Sequence, residues 1–230
     1  MNSILEEDIK NIADSKLVNW EEFNNKSILI TGATGLICSI MIKAFCKKKL
    51  NLKMYLLVRN KENAKQMYGE NENIEYIESS IENFNVEDIK VDYIIHAASP
   101  TKSKFFVEKP VETLNTAVLG TKNILEFAKN IGIKSMVYLS SMEMYGTMND
   151  ENVTEEKLGY INTLNVRSSY SEGKRVCELY CYSYQKEYGV PVKIARIAQT
   201  FGAGISKNEN RVYKIFADAV INKDNIVLKF

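Results

Sequence analysis

The stretch SILITGATGLICSIMIKAFCKKKL, residues 27–50, decides the fold that we expect for this chain. A short β-branched run ends at Gly32, and apolar residues at helical spacing follow it up to a lysine-rich end, which suits the negative pole of a helix. Because Gly32 and Gly35 lack side chains, the turn between strand and helix lets the backbone approach an anion at the helix N-terminus. Alone, this glycine pair would also fit an ordinary turn. Its place at the first crossover predicts the pyrophosphate site of a dinucleotide.

The rest of the sequence alternates short apolar runs with longer helical patterns. The predicted strands cover 27–32, 53–60, 73–79, 91–99, 135–141 and 191–202, and the predicted helices cover 36–50, 111–132 and 170–188. Apolar strands separated by helices are typical of a parallel sheet covered on both faces. We therefore expect an α/β fold, a Rossmann-type doubly wound parallel sheet with helices on both faces. Residues 1–24 are amphipathic and predict a helical extension that docks on this domain.

Composition narrows the class of protein further. The chain has 230 residues, of which 45% are hydrophobic, and 30 basic and 29 acidic residues give a net charge of +1. This balance, with no basic stripe, argues against a nucleic-acid or membrane-surface partner. Four cysteines without C-x-x-C spacing and a single histidine, His96, predict free thiols and no metal site. The N-terminus lacks the apolar core of a signal peptide, and no run of about 18 apolar residues occurs, so we expect a cytoplasmic protein.

The ends of the second, third and fourth strands predict how the dinucleotide is held. An acidic residue after the second strand would bind a ribose 2′-hydroxyl, but Arg59 and Asn60 stand there and favour the 2′-phosphate of NADP. The alternative is that NAD binds while Arg59 stacks on the adenine or lies in solvent. Small residues at strand ends allow close approach of the cofactor. The predicted cofactor-binding residues are Gly32, Thr34, Gly35, Leu36, Ile37, Arg59, Asn60, Ser80, Ile81, Ala97, Ala98, Ser99, Tyr170 and Lys174.

Three residues near the end of the fifth strand and on the following helix predict chemistry. Tyr170 precedes Lys174 by four residues, so the two side chains share one face of the helix. A phenol has an ordinary pKa near ~10, and a neighbouring ammonium would lower the pKa of Tyr170 toward neutrality. Ser141 ends the fifth strand, at the edge where catalytic groups of open α/β sheets collect. We expect Tyr170 and Lys174 to act as an acid/base pair, with Ser141 orienting the substrate oxygen.

Taken together, the segments TGATGLIC, HAASP, YSEGKRVCE and VKIARIAQTFGAG resemble the extended short-chain dehydrogenase/reductases, the NAD-dependent epimerase/dehydratase family of nucleotide-sugar enzymes. Within the family, the sequence is most similar to UDP-glucuronate decarboxylases. The resemblance implies transient oxidation at sugar C4 by a bound nicotinamide cofactor, followed by hydride return. It also implies three parts: a helical extension (1–25), an NAD(P)-binding Rossmann domain (26–202) and the beginning of a C-terminal substrate lobe (203–230).

The resemblance also assigns roles to individual residues. It gives Ser141, Tyr170 and Lys174 catalytic roles, adds Glu143, and disfavours dehydration because Met142, next to Ser141, cannot donate a proton. The implied substrate-binding residues are Ser99, Ser141, Met142, Gln199 and Arg211. The sequence departs from the family pattern at the third glycine of the turn, at an asparagine of the fourth helix, at a diphosphate-binding asparagine and at the acidic residue after the second strand. Cys38, Ala117, Gln199 and Arg59 stand at these positions.

Three functions stay open on the sequence. The first is a nucleotide-sugar enzyme, either a decarboxylase or an epimerase, whose partner is a nucleotide-diphosphate sugar. The second is a catalytically silent NAD(P)-binding module, and the third is an NADPH-dependent reductase of a small carbonyl compound. The family resemblance also implies a homodimer built from helices 111–130 and 170–188. The second helix carries an apolar stripe that would suit such an interface, formed by Val176, Leu179, Tyr180 and Tyr184. The same stripe would equally suit packing on the chain's own sheet.

Overall fold

A six-stranded parallel sheet forms the centre of the computed structural model, with strand order β3-β2-β1-β4-β5-β6. The structure describes residues 3–86, 88–149, 152–206, 209 and 211–226. The strands are β1 (Lys26–Thr31), β2 (Leu52–Val58), β3 (Ile74–Glu78), β4 (Tyr93–His96), β5 (Ser135–Ser141) and β6 (Val192–Ile197). The order reverses direction at β1, as in a doubly wound fold, and the two halves of the sheet meet between β1 and β4. The predicted fold class is therefore confirmed.

Seven α-helices surround the sheet or pack on its helices in the described ranges. They are α1 (Ser3–Ala13), α2 (Leu36–Lys48), α3 (Lys61–Tyr68), α4 (Ser103–Glu108), α5 (Pro110–Ile131), α6 (Ser168–Tyr188) and α7 (Val212–Asn222). Gly132 and Gly189 end α5 and α6 in left-handed conformation, as their positions predict. The sequence pattern does not predict α3, α4 or α7, which are short or lie outside the sheet.

Two apolar layers explain why the central strands are hydrophobic without alternation. In β1, Ile28 and Ile30 face the layer that includes α2, while Leu29 faces the layer that includes α5 and α6. All three side chains are buried. A strand with both faces covered needs apolar residues at every position. Helices on both sides of β1 therefore explain the apolar run in residues 27–32.

The N-terminal segment docks on the domain as its amphipathic pattern predicts. Leu5, Ile9 and Ala13 of α1 pack on Ala44 of α2. A second contact reaches the loop after β6, because a Cβ atom at Gly204 would lie 3.3 Å from the Leu5 side chain. This helix therefore connects α2 with the loop that follows the last strand. The chain division at residues 25 and 202 stays a prediction.

Candidate active site

The glycine turn after β1 is packed tightly against the end of β4. Gly32 has φ +66°, and a Cβ atom there would lie 2.8 Å from the carbonyl carbon and oxygen of Ala97 and 2.9 Å from the Ala98 nitrogen. Gly35 precedes the first residue of α2, and its N–H donates to the Gly32 carbonyl at 2.9 Å. Both conformation and space therefore require glycine at position 32. The result is a backbone cradle at the N-terminus of α2, the arrangement that suits an anionic phosphate.

We expect Gly32→Ala to destabilise the protein by about 2 to 3 kcal/mol, because the new Cβ combines left-handed backbone strain with a backbone clash. Gly132→Ala is the matched control, since Gly132 has φ +68° but nothing within 4 Å of the added Cβ. The control should lose only about 1 kcal/mol. Urea unfolding of both variants measures the difference, and equal losses would contradict the close packing against β4.

A cleft of about 450 Å³ opens beside this turn. Of the predicted cofactor-binding residues, the structure places eight in its lining: Gly32, Thr34, Gly35, Arg59, Ile81, Ala97, Ala98 and Ser99. It leaves six outside the lining: Leu36, Ile37, Asn60, Ser80, Tyr170 and Lys174. The lining also includes Glu82 and Phe105, which the sequence analysis did not single out. Both come from segments between strands that carry no recognisable motif.

The residues after β2 divide between the cleft and the start of α3. Arg59 is exposed and lines the cleft, so its guanidinium is accessible to a ligand. Asn60 instead caps α3, since its side-chain oxygen accepts the Asn63 N–H at 2.7 Å. This role explains why an asparagine follows the arginine. A direct contact of the Asn60 side chain with a cofactor would compete with this cap.

Ser141 and Tyr170 meet at the carboxyl end of β5, as the sequence predicts. The Ser141 side chain is near enough to lower the pKa of Tyr170, and its hydroxyl accepts the Glu143 N–H at 3.2 Å. The Tyr170 ring stacks on Phe106 of α4, with ring centroids 4.3 Å apart and planes 7° from parallel. Phe106 is the neighbour of Phe105, so α4 joins this pair to the wall of the cleft. The stacked ring fixes the direction in which the phenol points.

Lys174 is buried beneath the same edge. Its Nζ donates to the Leu139 carbonyl at 2.7 Å and lies 4.8 Å from the centre of the Tyr138 ring and 5.8 Å from that of the Tyr170 ring. Burial lowers the pKa of Lys174 to about 8, because a charged ammonium loses its hydration there. The side chain is therefore close to its titration point near neutral pH.

The pKa of Tyr170 differs from the sequence-based expectation. Burial raises the pKa of this phenol most, and the Glu143 charge also raises it, while the Ser141 side chain and the charges of Arg167 and Arg211 act to lower it. We expected Lys174 to lower the Tyr170 pKa, but the Lys174 ammonium is bonded to the Leu139 carbonyl instead. Removal from water outweighs the favourable neighbours, so the phenol is protonated at neutral pH in this state.

Glu143 lies beside the pair and is held by an arginine that the sequence analysis missed. Its two carboxylate oxygens accept from Nη1 and Nη2 of Arg167 at 2.7 and 3.0 Å, and one of them also accepts from the Ser171 hydroxyl at 3.3 Å. The Arg167 guanidinium lies 5.6 Å from the centre of the Phe106 ring. The two partners are 24 residues apart, so no motif could have paired them.

The predicted substrate-binding residues are not all brought together. Ser99 lines the cleft and Ser141 lies beside Tyr170. Met142 and Gln199 are exposed. Arg211 immediately precedes α7, where it pairs with Glu209 at 2.7 Å, and its buried Nε has no hydrogen-bond partner among the described residues. The Nε–H of Arg211 can therefore still donate a hydrogen bond, and the positive charge of Arg211 lowers the pKa of Tyr170.

Two departures from the family pattern have a packing explanation. Ala117 of α5 is buried against α6, where the Cys177 thiol donates to the Ala117 carbonyl at 3.1 Å and a Cβ at Gly173 would lie 3.3 Å from the Ala117 side chain. A larger side chain at position 117 would push the two helices apart. Cys38, at the third position of the glycine turn, is buried with its sulfur 3.9 Å from the Thr31 carbonyl, and burial raises the pKa of its thiol to about 12.

The sheet order, the glycine cradle and the serine and tyrosine beside the cleft define a protein with a Rossmann-type fold. The sequence matches the NAD dependent epimerase/dehydratase family over residues 28–228, and the chain belongs to that family. The resemblance drawn from the motifs is thus confirmed. Among the residues that the structure describes, no three His, Cys, Asp or Glu side chains form a group that could hold a metal ion. Within the same residues, no helix has the length and apolarity to cross a membrane.

Two curated relatives of the chain are UDP-glucuronic acid decarboxylases. The chain is 35% identical over 199 residues to UDP-glucuronic acid decarboxylase 1 of Xenopus tropicalis, covering 85% of this chain and 46% of the relative. It is 34% identical over 197 residues to UDP-glucuronic acid decarboxylase 6 of Arabidopsis thaliana, covering 84% of this chain and 56% of the relative. The chain therefore spans about half the length of these curated relatives.

Solved structures share the fold at lower identity. UDP-N-acetylglucosamine 4-epimerase from Methanobrevibacter ruminantium M1, in complex with UDP-N-acetylmuramic acid, superposes with a TM-score of 0.78 at 23% identity, covering 89% of this chain and 66% of its own. UDP-glucuronic acid 4-epimerase from Bacillus cereus, in complex with NAD, gives a TM-score of 0.69 at 21% identity, covering 86% and 63%. These likenesses show that the fold is that of nucleotide-sugar epimerases.

Proposed function

We propose that this chain acts on a nucleotide-diphosphate sugar by transient oxidation at C4, using a nicotinamide cofactor held in the cleft beside the glycine turn. The observation that carries the proposal is the place of Tyr170, whose ring stacks on Phe106 of α4, beside Ser141 and next to the cleft that Phe105 of α4 lines. The named relatives, UDP-glucuronic acid decarboxylases, support the same substrate class.

The residues present fit a dinucleotide. The cradle around Gly32 and Gly35 offers backbone N–H groups at a helix N-terminus, which suits a diphosphate. Arg59 can pair with a 2′-phosphate or lie over the adenine of NAD, so both cofactors remain candidates, with NADP favoured by the arginine. When bound, the nicotinamide supplies hydride acceptance and return. Lys174 and Tyr170 would hold the reacting end of the cofactor and move the proton of the sugar hydroxyl, and Ser141 would orient that hydroxyl.

Within this substrate class, we favour decarboxylation of a uronic acid over epimerisation. The named relatives are UDP-glucuronic acid decarboxylases, and the Glu143 carboxylate, held by both terminal nitrogens of Arg167, lies next to Tyr170. Met142, which follows Ser141, has no proton to donate to a leaving hydroxyl, so dehydration is disfavoured.

The test is a titration of the purified chain with NADP⁺ and NAD⁺, followed by UDP-glucuronate and a neutral UDP-sugar. Reduced-nicotinamide absorbance together with release of CO₂ from UDP-glucuronate is the expected result, and Tyr170→Phe should lower both rates at least ~100-fold. Reduction without CO₂ would favour an epimerase. Cofactor binding without any reduction would favour the silent module, and turnover of a simple ketone would favour the small-carbonyl reductase.

We further propose a homodimer formed through α5 and α6 in the cytoplasm. Leu114, Leu119, Val176 and Leu179 on these helices are exposed, which leaves apolar surface for a second copy. Tyr184, which the sequence placed in the same stripe, is buried within the chain's own core. The four free cysteines suit a reducing compartment. A light-scattering mass of one 26.2 kDa chain would contradict the dimer.

A further inference from the structure

The single histidine of the chain is buried between two threonine hydroxyls. His96, at the end of β4, has Nδ1 2.7 Å from the Thr31 hydroxyl of β1 and Nε2 3.0 Å from the Thr121 hydroxyl of α5. All three side chains are buried. One imidazole ring therefore links the two central strands of the sheet to the helix that covers them.

The hydrogen bonds around Thr31 decide which ring nitrogen carries the proton. The Thr31 hydroxyl oxygen accepts from the backbone N–H groups of Ala97 and Ala98, both at 3.1 Å. Since the oxygen already accepts two hydrogens, its own hydrogen is directed to His96, and Nδ1 must accept it. Nε2 then carries the ring proton and donates it to Thr121. The opposite tautomer would leave the Thr31 hydroxyl hydrogen without an acceptor in a buried place.

The same threonine holds one wall of the cleft. Ala97 and Ala98 line the cleft, and their backbone atoms would lie 2.8–2.9 Å from a Cβ atom at position 32. Their backbone N–H groups both donate to the Thr31 hydroxyl oxygen. The orientation of this hydroxyl therefore fixes the distance between the glycine turn and the Ala97–Ala98 wall, the part of the cleft that these two residues form. His96 fixes that orientation through its unprotonated Nδ1.

The groups around the ring keep it neutral. Tyr138 of β5 lies beside it, with ring centroids 5.5 Å apart, and the Cys177 thiol of α6 lies near both Thr121 and Tyr138. Burial, followed by the charge of Lys174 on α6, lowers the pKa of His96 to about 3. A doubly protonated ring would have no acceptor at Thr31 and would face the Lys174 ammonium.

We propose that His96, locked as the Nε2–H tautomer between Thr31 and Thr121, is a positioning residue that holds the Ala97–Ala98 wall against the glycine turn. The part of this inference that concerns cofactor affinity rests on the proposed function, whereas the tautomer and the wall do not. The ring itself does not line the cleft.

Nitrogen-15 histidine NMR tests the tautomer directly, because the chain gives one pair of imidazole signals. We expect Nδ1 to resonate as an unprotonated nitrogen and Nε2 as a protonated one, with both signals unchanged from about pH 8 down to about pH 5, where an exposed histidine titrates. An Nδ1–H tautomer, or titration with a midpoint near ~6.5, would overturn the proposal.

Two substitutions separate positioning from core filling. In His96→Asn the side-chain oxygen stands near the place of Nδ1 and can still accept from Thr31. In His96→Gln the amide reaches the place of Nε2, which keeps the Thr121 link and loses the Thr31 link. Both variants lose the ring and its packing. We expect the Ala97 and Ala98 amides to exchange at least ~10-fold faster in the glutamine variant than in the asparagine variant, and cofactor affinity to differ by about tenfold, or ~1.4 kcal/mol, in the same direction.

Equal exchange rates at Ala97 and Ala98 in the two variants would overturn the positioning role, since loss of packing alone affects both. If either variant fails to fold, Thr31→Val and Thr31→Ser serve instead: valine keeps the shape without the hydroxyl, and serine restores it. Serine should recover slow exchange, and failure to recover would count against the proposal. If wild type binds neither NAD⁺ nor NADP⁺ while the NMR and exchange results hold, the proposed function fails and the His96 lock stands.

Discussion

Replacing Lys174 with methionine should make the protein more stable and strongly lower the turnover that we propose for it. The ammonium is 3% exposed, and burial lowers its pKa from 10.5 to about 8. At neutral pH this shift corresponds to an unfavourable ~3 kcal/mol in the folded state, which the variant removes. The loss of the hydrogen bond to the Leu139 carbonyl lowers this gain in stability by about 1 kcal/mol. We expect a net gain of ~1 to 2 kcal/mol in urea unfolding and a loss of at least ~100-fold in turnover.

The pH dependence of this gain gives it a distinct signature. The folded pKa of Lys174 lies below the unfolded pKa, so the unfolded chain binds the extra proton between about pH 8 and pH 10.5. Wild-type stability therefore rises across that window relative to the variant, and the advantage of Lys174→Met shrinks as the pH rises. Lys186→Met is the matched control, because Lys186 lies on the same helix and is exposed. A variant that is less stable than wild type near pH 7 would contradict this account.

Removing Arg196 should cause the largest loss of stability. Arg196 of β6 holds the Glu178 carboxylate of α6 through Nη2 at 2.7 Å and Nε at 3.1 Å, and the Ser140 hydroxyl donates to the same carboxylate at 2.5 Å. The Glu178 side chain is only 7% exposed. Arg196→Met leaves this carboxylate buried with one hydroxyl for a partner, which should cost about 4 kcal/mol.

The double variant distinguishes a buried charge from lost packing. Adding Glu178→Met to Arg196→Met removes the stranded carboxylate, so at least half of the lost stability should return. Lys104→Met is the control for a surface pair, since Lys104 and Glu108 have side chains that are 74% and 58% exposed, and it should change stability by less than ~0.5 kcal/mol. Urea unfolding measures all four proteins. A double variant as unstable as Arg196→Met would mean that the pair contributes through packing alone.

Both predictions concern side chains of α6 that hold the end of β5 next to Ser141. Ser140 is the neighbour of Ser141 and donates to Glu178, while Lys174 donates to the carbonyl of Leu139, one residue earlier. Two side chains of α6 are thus hydrogen-bonded to the last residues of β5. This explains how a strand end, which ordinarily frays, presents a hydroxyl to Tyr170 in a fixed place.

Much of the fold followed from the sequence because each element carries its own periodicity. The run 27–32 and its five counterparts predicted the six strands, and β1 is apolar at Ile28, Leu29 and Ile30 because helices cover both of its faces. The glycines at 32, 132 and 189 predicted a turn and two helix ends, since they supply backbone conformations that other residues rarely adopt. The spacing of Tyr170 and Lys174 placed both on one helical face. These features depend on neighbours in the chain, and a single sequence reports them.

The tertiary structure alone decided which polar groups meet. Arg167 pairs with Glu143 across 24 residues, and His96 lies between hydroxyls 65 residues before it and 25 after it. It also decided the direction of the Tyr170 pKa, because burial outweighs charge there. Such pairings depend on strand order and on how closely two helices pack, and no local pattern encodes them. The sequence by itself determined the six strands, the long helices and the glycine turn. The packing between elements determined the electrostatics of the site, because electrostatic energy depends on distance in space and on exclusion of water.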